Sequence, residues 1–123
     1  MTFYQDSGES RERGITYHLV PSSVWESQRH LHEYVPEAFA DDGFIHCTNG
    51  LVQLLEVANR FYTGDEREFV VLALDVASIV PDVRYDDTGS LFPHIYGPLN
   101  TSAVVAHISV ERSADGTFVS FPI

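Results

Sequence analysis

Six histidines and seven arginines carry most of the chemistry open to this chain. Three of the histidines sit among apolar or aromatic neighbours, in Tyr17-His18-Leu19-Val20, Phe44-Ile45-His46-Cys47 and Pro93-His94-Ile95-Tyr96. An imidazole in such a setting can orient a ligand, move a proton or bind a metal, because its charge changes near neutral pH. His30 and His32 fall at the end of a short predicted helix, where the helix dipole alone favours them. His107 alternates with Val105 and Ser109 and reads as structural. Three imidazoles with an open position would make a catalytic zinc site. The chain has no His-x-x-x-His, Cys-x-x-Cys or His-Glu-x-x-His spacing, so a metal-dependent hydrolase would have to draw its ligands singly from distant strands.

Arginine is the second clue. Arg84 stands inside a predicted strand beside Tyr85 and Asp86, and in a chain without lysine it is the best candidate to grip phosphate or carboxylate in a fork. Arg60 closes a predicted helix next to Asn59, and the two form a second tier. Arg29, Arg67 and Arg112 read as surface positions. Cys47 alternates away from His46, which favours a buried thiol over a nucleophile.

These side chains need a frame to hold them. Gly43 to Thr48 reads as a central strand, with Phe44 and His46 on one face and Ile45 and Cys47 on the other. Thr48 or Asn49 can cap a helix over 49–62, whose apolar positions Leu51, Leu54, Leu55, Ala58, Phe61 and Tyr62 recur at helical spacing. The N–H groups at its start would favour an anion beside His46. Ile15 to Val20 is the first strand, ended by Pro21. Ser23 and Glu26 have capping-box spacing for a short helix to Leu31, with Val24, Trp25, Gln28 and Leu31 inward. Residues 33–42 read as irregular, with a short strand at Tyr34-Val35. Glu68 to Asp75 is an apolar run expected of a strand covered on both faces, followed by one helical turn to Val80. A short strand at Val83 to Asp86, a turn at 87–90 and a compact Pro93 to Pro98 loop come next. Ala103 to Arg112 is a late strand, turning at Ala114-Asp115-Gly116 into Thr117 to Phe121. This order predicts an α+β domain over 15–123, behind a mobile tail over 1–14.

Composition narrows the function. The 123 residues suit one domain with a real core. Neither a membrane-spanning run nor a signal peptide is read, and the lone cysteine fits a reducing compartment, so the expected location is the cytoplasm. Eighteen carboxylates against seven arginines give a net charge of −11, which argues against general nucleic-acid binding. No heptad or exposed apolar helix points to an oligomer.

Taken together, the segments around His18, Gly43 to Thr48, Ala58-Asn59-Arg60-Phe61-Tyr62, Leu72 to Asp75, Val83 to Asp86 and Phe92 to Leu99 resemble the bacterial family known as domain of unknown function 952. That family is similar to the ADP-ribosyltransferase-like superfamily, and in particular to the RNA 2′-phosphotransferases. Phe44-Ile45-His46-Cys47-Thr48 would match their His-x-His-x-Ser strand, with Phe44 in place of the first histidine. The resemblance implies a split, mostly antiparallel β-sandwich whose cleft binds NAD or a related nucleotide and transfers ADP-ribose. His46, His18 and His94 would be the catalytic group, with Arg84, Tyr96, Thr48, Asn59 and Arg60 holding the substrate. The alternatives are a non-catalytic nucleotide or small-anion binding module and the metal-dependent hydrolase.

Overall fold

The computed structural model describes residues 14–86 and 89–121. Nearly all of the expected tail therefore lies outside the described residues. The first strand, β1 (Ile15–Pro21), pairs antiparallel with β4 (Phe69–Asp75), which pairs antiparallel with β8 (Val104–Ser109). A second sheet has the order β3 (Ile45–His46), β6 (Pro93–Tyr96), β5 (Asp82–Tyr85), again antiparallel. Two ribbons complete the sheets: β2 (Glu33–Tyr34) with β7 (Leu99–Asn100), and β9 (Glu111–Arg112) with β10 (Phe118–Ser120). The helices are α1 (Ser22–Glu26), α2 (Phe39–Asp42) and α3 (Leu51–Phe61). The chain is thus α+β with antiparallel pairing throughout its named sheets.

The apolar run of β4 faces two cores. Phe69, Val71 and Ala73 meet Leu51, Leu54 and Ala58 of α3 together with Ile15, Tyr17 and Phe118. Leu72 and Leu74 face the other way, onto Trp25, Tyr34, Ile45, Cys47, Ile95 and Leu99. A strand buried on both sides has no polar face to keep, hence its unbroken hydrophobicity.

Several boundaries differ from the sequence reading. Residues 39–42 form a helical turn, and Gly43 closes it in the left-handed conformation (φ 79°) rather than opening a strand. Helix α1 stops at Glu26 without a side-chain cap, which leaves Leu31 more than half exposed. Neither Thr48 nor Asn49 caps α3; Gly50 holds that position, and the Asn49 amide reaches toward the Tyr85 hydroxyl and the Ser90 carbonyl. Residues 93–96 are a strand at the centre of the second sheet rather than a loop. Pro93 fits at its start, where it gives no N–H but accepts one from Cys47 (3.0 Å). The late strand breaks at Val110 because its two halves pair with different partners, β4 and β10.

Candidate functional site

The site begins with an interrupted ladder. Tyr17 and Thr48 form an isolated antiparallel bridge, with Tyr17 N–H to the Thr48 carbonyl at 2.9 Å and Thr48 N–H to the Tyr17 carbonyl at 2.8 Å. Had that ladder continued, Leu19 would lie opposite His46. The His46 carbonyl is instead taken by the His18 ring, Nδ1 to O at 2.7 Å. The two strands part there. Strand alternation turns the N–H and C=O of Leu19 the same way as those of Tyr17, away from β4. Among the described residues no hydrogen bond reaches either group.

A cleft of about 1180 Å³ opens along this gap. Its walls are β1 from Tyr17 to Pro21, helix α3 from Gln53 to Phe61, the Pro36–Ala38 segment, and a rim of Asp42, Phe44, His46, His94 and Asp86. At the start of α3, Thr48, Gln53 and Leu54 line it, whereas residues 49–52 do not.

His18 lies between the sheets with both ring nitrogens engaged. A carbonyl can only accept, so Nδ1–H donates to His46, and Nε2 accepts from the Tyr34 hydroxyl at 2.7 Å. Burial holds this imidazole neutral, with its pKa lowered to about 4. Burial pushes the Tyr34 phenol the other way, which keeps it a donor. His18 borders the cleft, yet it is a satisfied core residue that props the strands apart.

His46 and His94 face each other across the β3–β6 pair. His46 Nε2 meets Asp42 Oδ2 at 2.9 Å, and His94 Nδ1 meets Asp86 Oδ2 at 2.9 Å. The rings are 5.4 Å apart, and Phe44 stacks on His94 at 4.0 Å. The Tyr96 hydroxyl donates to the same Asp86 oxygen at 2.5 Å. Those two bonds, that of Tyr96 first, hold the Asp86 carboxyl below its usual range, and so ionised.

Other expected site residues sit elsewhere. Arg84, expected to hold the substrate, lays its guanidinium 4.4 Å over the Tyr96 ring with Asp82 at 3.5 Å, is mostly exposed, and does not line the cleft. Tyr96 is likewise behind the rim, acting through Asp86. Thr48 is a lining residue whose backbone makes the bridge to Tyr17. Asn59 lines the wall, but its amide clamps the Phe118 backbone, accepting at 2.7 Å and donating at 3.0 Å. Arg60 is an exposed cation on the wall. Cys47 is buried, with its thiol pushed up by desolvation, so no thiolate is at hand. Arg112, read as a surface position, instead bonds the carbonyls of Tyr62, Thr63, Arg67 and Gly116.

Three contributors were not singled out from the sequence as site residues: Asp42, the Leu19 backbone and the Tyr34 hydroxyl. Asp42 had a weak signal, standing four residues before His46. The other two depend on pairings between distant segments.

Two small antiparallel sheets beside a cleft rimmed by His46 and His94 define a small α+β class of protein. Within it, the chain belongs to the family described as "Protein of unknown function (DUF952)", whose model matches residues 19–107. Its fold is similar to that of protein CC0527 from Caulobacter crescentus. The crystal structure of that protein aligns with a TM-score of 0.71 at 25% identity, over 85% of this chain and 93% of that one. Its solution NMR structure gives 0.66 at 25% identity, over 84% and 90%. No curated protein matches the chain.

Proposed function

We propose that the cleft binds NAD or a closely related nucleotide, as the similarity to ADP-ribosyltransferase-like proteins implies, and that the chain transfers ADP-ribose from it. The observation that carries this reading is the Leu19 backbone. A donor and an acceptor on one residue, turned toward the cleft without a partner among the described residues, match a primary carboxamide, which offers one acceptor and one donor side by side. Nicotinamide carries that group. The Phe44 ring beside the gap gives an apolar surface for an aromatic ligand, and Arg60 supplies a cation at the opposite wall.

The alternatives fare differently. A zinc trio needs His18, whose two nitrogens are spent, and no group of three metal-ligating side chains comes together among the described residues. A small-anion module loses its main support with Arg84 outside the cleft. A nucleotide-binding module without turnover differs from the main reading only in chemistry.

Thermal shift with nicotinamide, NAD and ADP-ribose tests the binding. A ligand at 100 times its Kd stabilises by about 2.7 kcal/mol. NAD and nicotinamide should raise the midpoint, and ADP-ribose, lacking the carboxamide, should do so less. No shift with NAD or nicotinamide, or an equal shift with ADP-ribose, refutes the role of Leu19.

A further inference from the structure

We infer that His94, oriented by Asp86, is the general base of the cleft and that the nucleophile it serves is water, so that the protein hydrolyses the ribose–nicotinamide bond; this rests on the nucleotide reading above.

The nucleotide reading leaves the rim unexplained. A carboxamide pocket needs no carboxylate-backed imidazole, yet the cleft carries one that is closely constrained. Asp86 is ionised and can only accept, so His94 must present Nδ1–H to it. The proton is thereby fixed on Nδ1, and Nε2 keeps its lone pair. That is the state a base needs before it takes a proton. The ring cannot easily turn away. Phe44 stacks on it at 4.0 Å with 15° between the planes, and Tyr96 anchors the same Asp86 oxygen that His94 meets. Among the described residues no partner occupies Nε2. The side chain is only 20% exposed and borders the cleft. His46 is held less firmly: its side chain is 57% exposed, and among the described residues its carboxylate partner, Asp42, accepts from no second side chain.

In the step itself, His94 Nε2 takes a proton from water while the water oxygen bonds to the ribose carbon. The bond from that carbon to nicotinamide breaks, and its electron pair leaves with neutral nicotinamide. The products are ADP-ribose, nicotinamide and a proton held on His94. Asp86 faces the resulting imidazolium and stabilises it. The carboxylates of Asp42 and Asp86 also suit the positive charge that grows on the ribose as the bond breaks.

The charged and titratable groups facing His94 are Asp86 after β5, Arg84 on β5 across the pair, Tyr96 on β6, and His46 with Asp42 on the β3 side.

The test uses the intact chain with NAD, reading nicotinamide release, NAD binding and imidazole nitrogen NMR side by side. The free protein should show His94 as the Nδ1–H tautomer, and Asp86→Asn should lose that preference. His94→Gln should bind NAD as the natural protein does and release nicotinamide about 100-fold or more slowly. Added imidazole should restore part of the rate to His94→Ala. Asp86→Asn serves as a second variant if either His94 change unfolds the chain, and it should slow release while leaving NAD binding in place. NAD binding with no release by the natural protein, or release by His94→Gln within threefold of normal, overturns this inference and leaves nucleotide binding standing. Absence of NAD binding itself overturns the reading beneath it.

Discussion

At the residue scale the informative contrast is between two histidines that look alike in sequence. His18 and His94 both follow an aromatic residue or proline and precede a branched or long apolar one, yet one is spent on structure and the other is left with a free nitrogen. The difference lies in what stands opposite each ring, which no local pattern records. His18 makes a prediction of its own. Its folded pKa of about 4 lies below the ordinary value of 6.5, so the unfolded chain takes up a proton here that the folded chain refuses. The full contribution to stability is thus present above pH 6.5 and is lost as pH falls toward 4. The shift corresponds to about 3 kcal/mol. Ring-nitrogen NMR should find the Nδ1–H tautomer and no titration of His18 from about pH 8 to about pH 5. A midpoint near its ordinary value would mean that the ring is not enclosed as described.

At the element scale, α3 decides how well the core was located. Helical spacing picked out Leu51, Leu54 and Ala58, which are buried, but also Phe61 and Tyr62, which are exposed at 67% and 36%. The last two positions of the stripe turn toward the surface along the cleft wall, where the Tyr62 ring meets Phe69 in a tilted contact at 5.8 Å. Leu55 is only partly buried at the edge of the core, whereas Leu54 is 2% exposed. Leu54→Ala should therefore cost about 2–5 kcal/mol, as a truncation that leaves a cavity, and Leu55→Ala should cost less. Urea denaturation of both variants checks the order, and the reverse order would rotate the helix. The same spacing argument found β1 and β4 almost to the residue, because their apolar residues leave no alternative. It failed for β6, because proline and glycine at its ends read as loop punctuation although the first starts a central strand. It also missed α2, too short at four residues to show a helical period.

At the scale of the molecule, the family was legible from short motifs, while the working parts of the cleft were not. The Leu19 backbone faces the cleft only because β1 and β3 are brought together at Tyr17 and Thr48 and then parted, while Asp42 reaches His46 through the local helical turn of α2. Charge, by contrast, is legible at once, and its consequence sharpens with the structure. The net −11 leaves few cations for a polyanion, and those among the described residues are mostly engaged. Arg29 faces Glu26, Arg67 is held by Asp65 and Glu37, Arg84 lies over Tyr96 beside Asp82, and Arg112 is spent on backbone carbonyls. Binding to RNA gains its affinity by releasing counterions from neutralised phosphates, and the dependence on salt scales with the number neutralised. A wall presenting Arg60 cannot neutralise a run of them. Generic single-stranded RNA should therefore show no measurable binding at about 0.15 M salt. Fluorescence anisotropy across a salt series checks this: micromolar binding that weakens steeply with salt would demand a basic track that the described surface lacks, and would favour an RNA substrate over the small nucleotide proposed above.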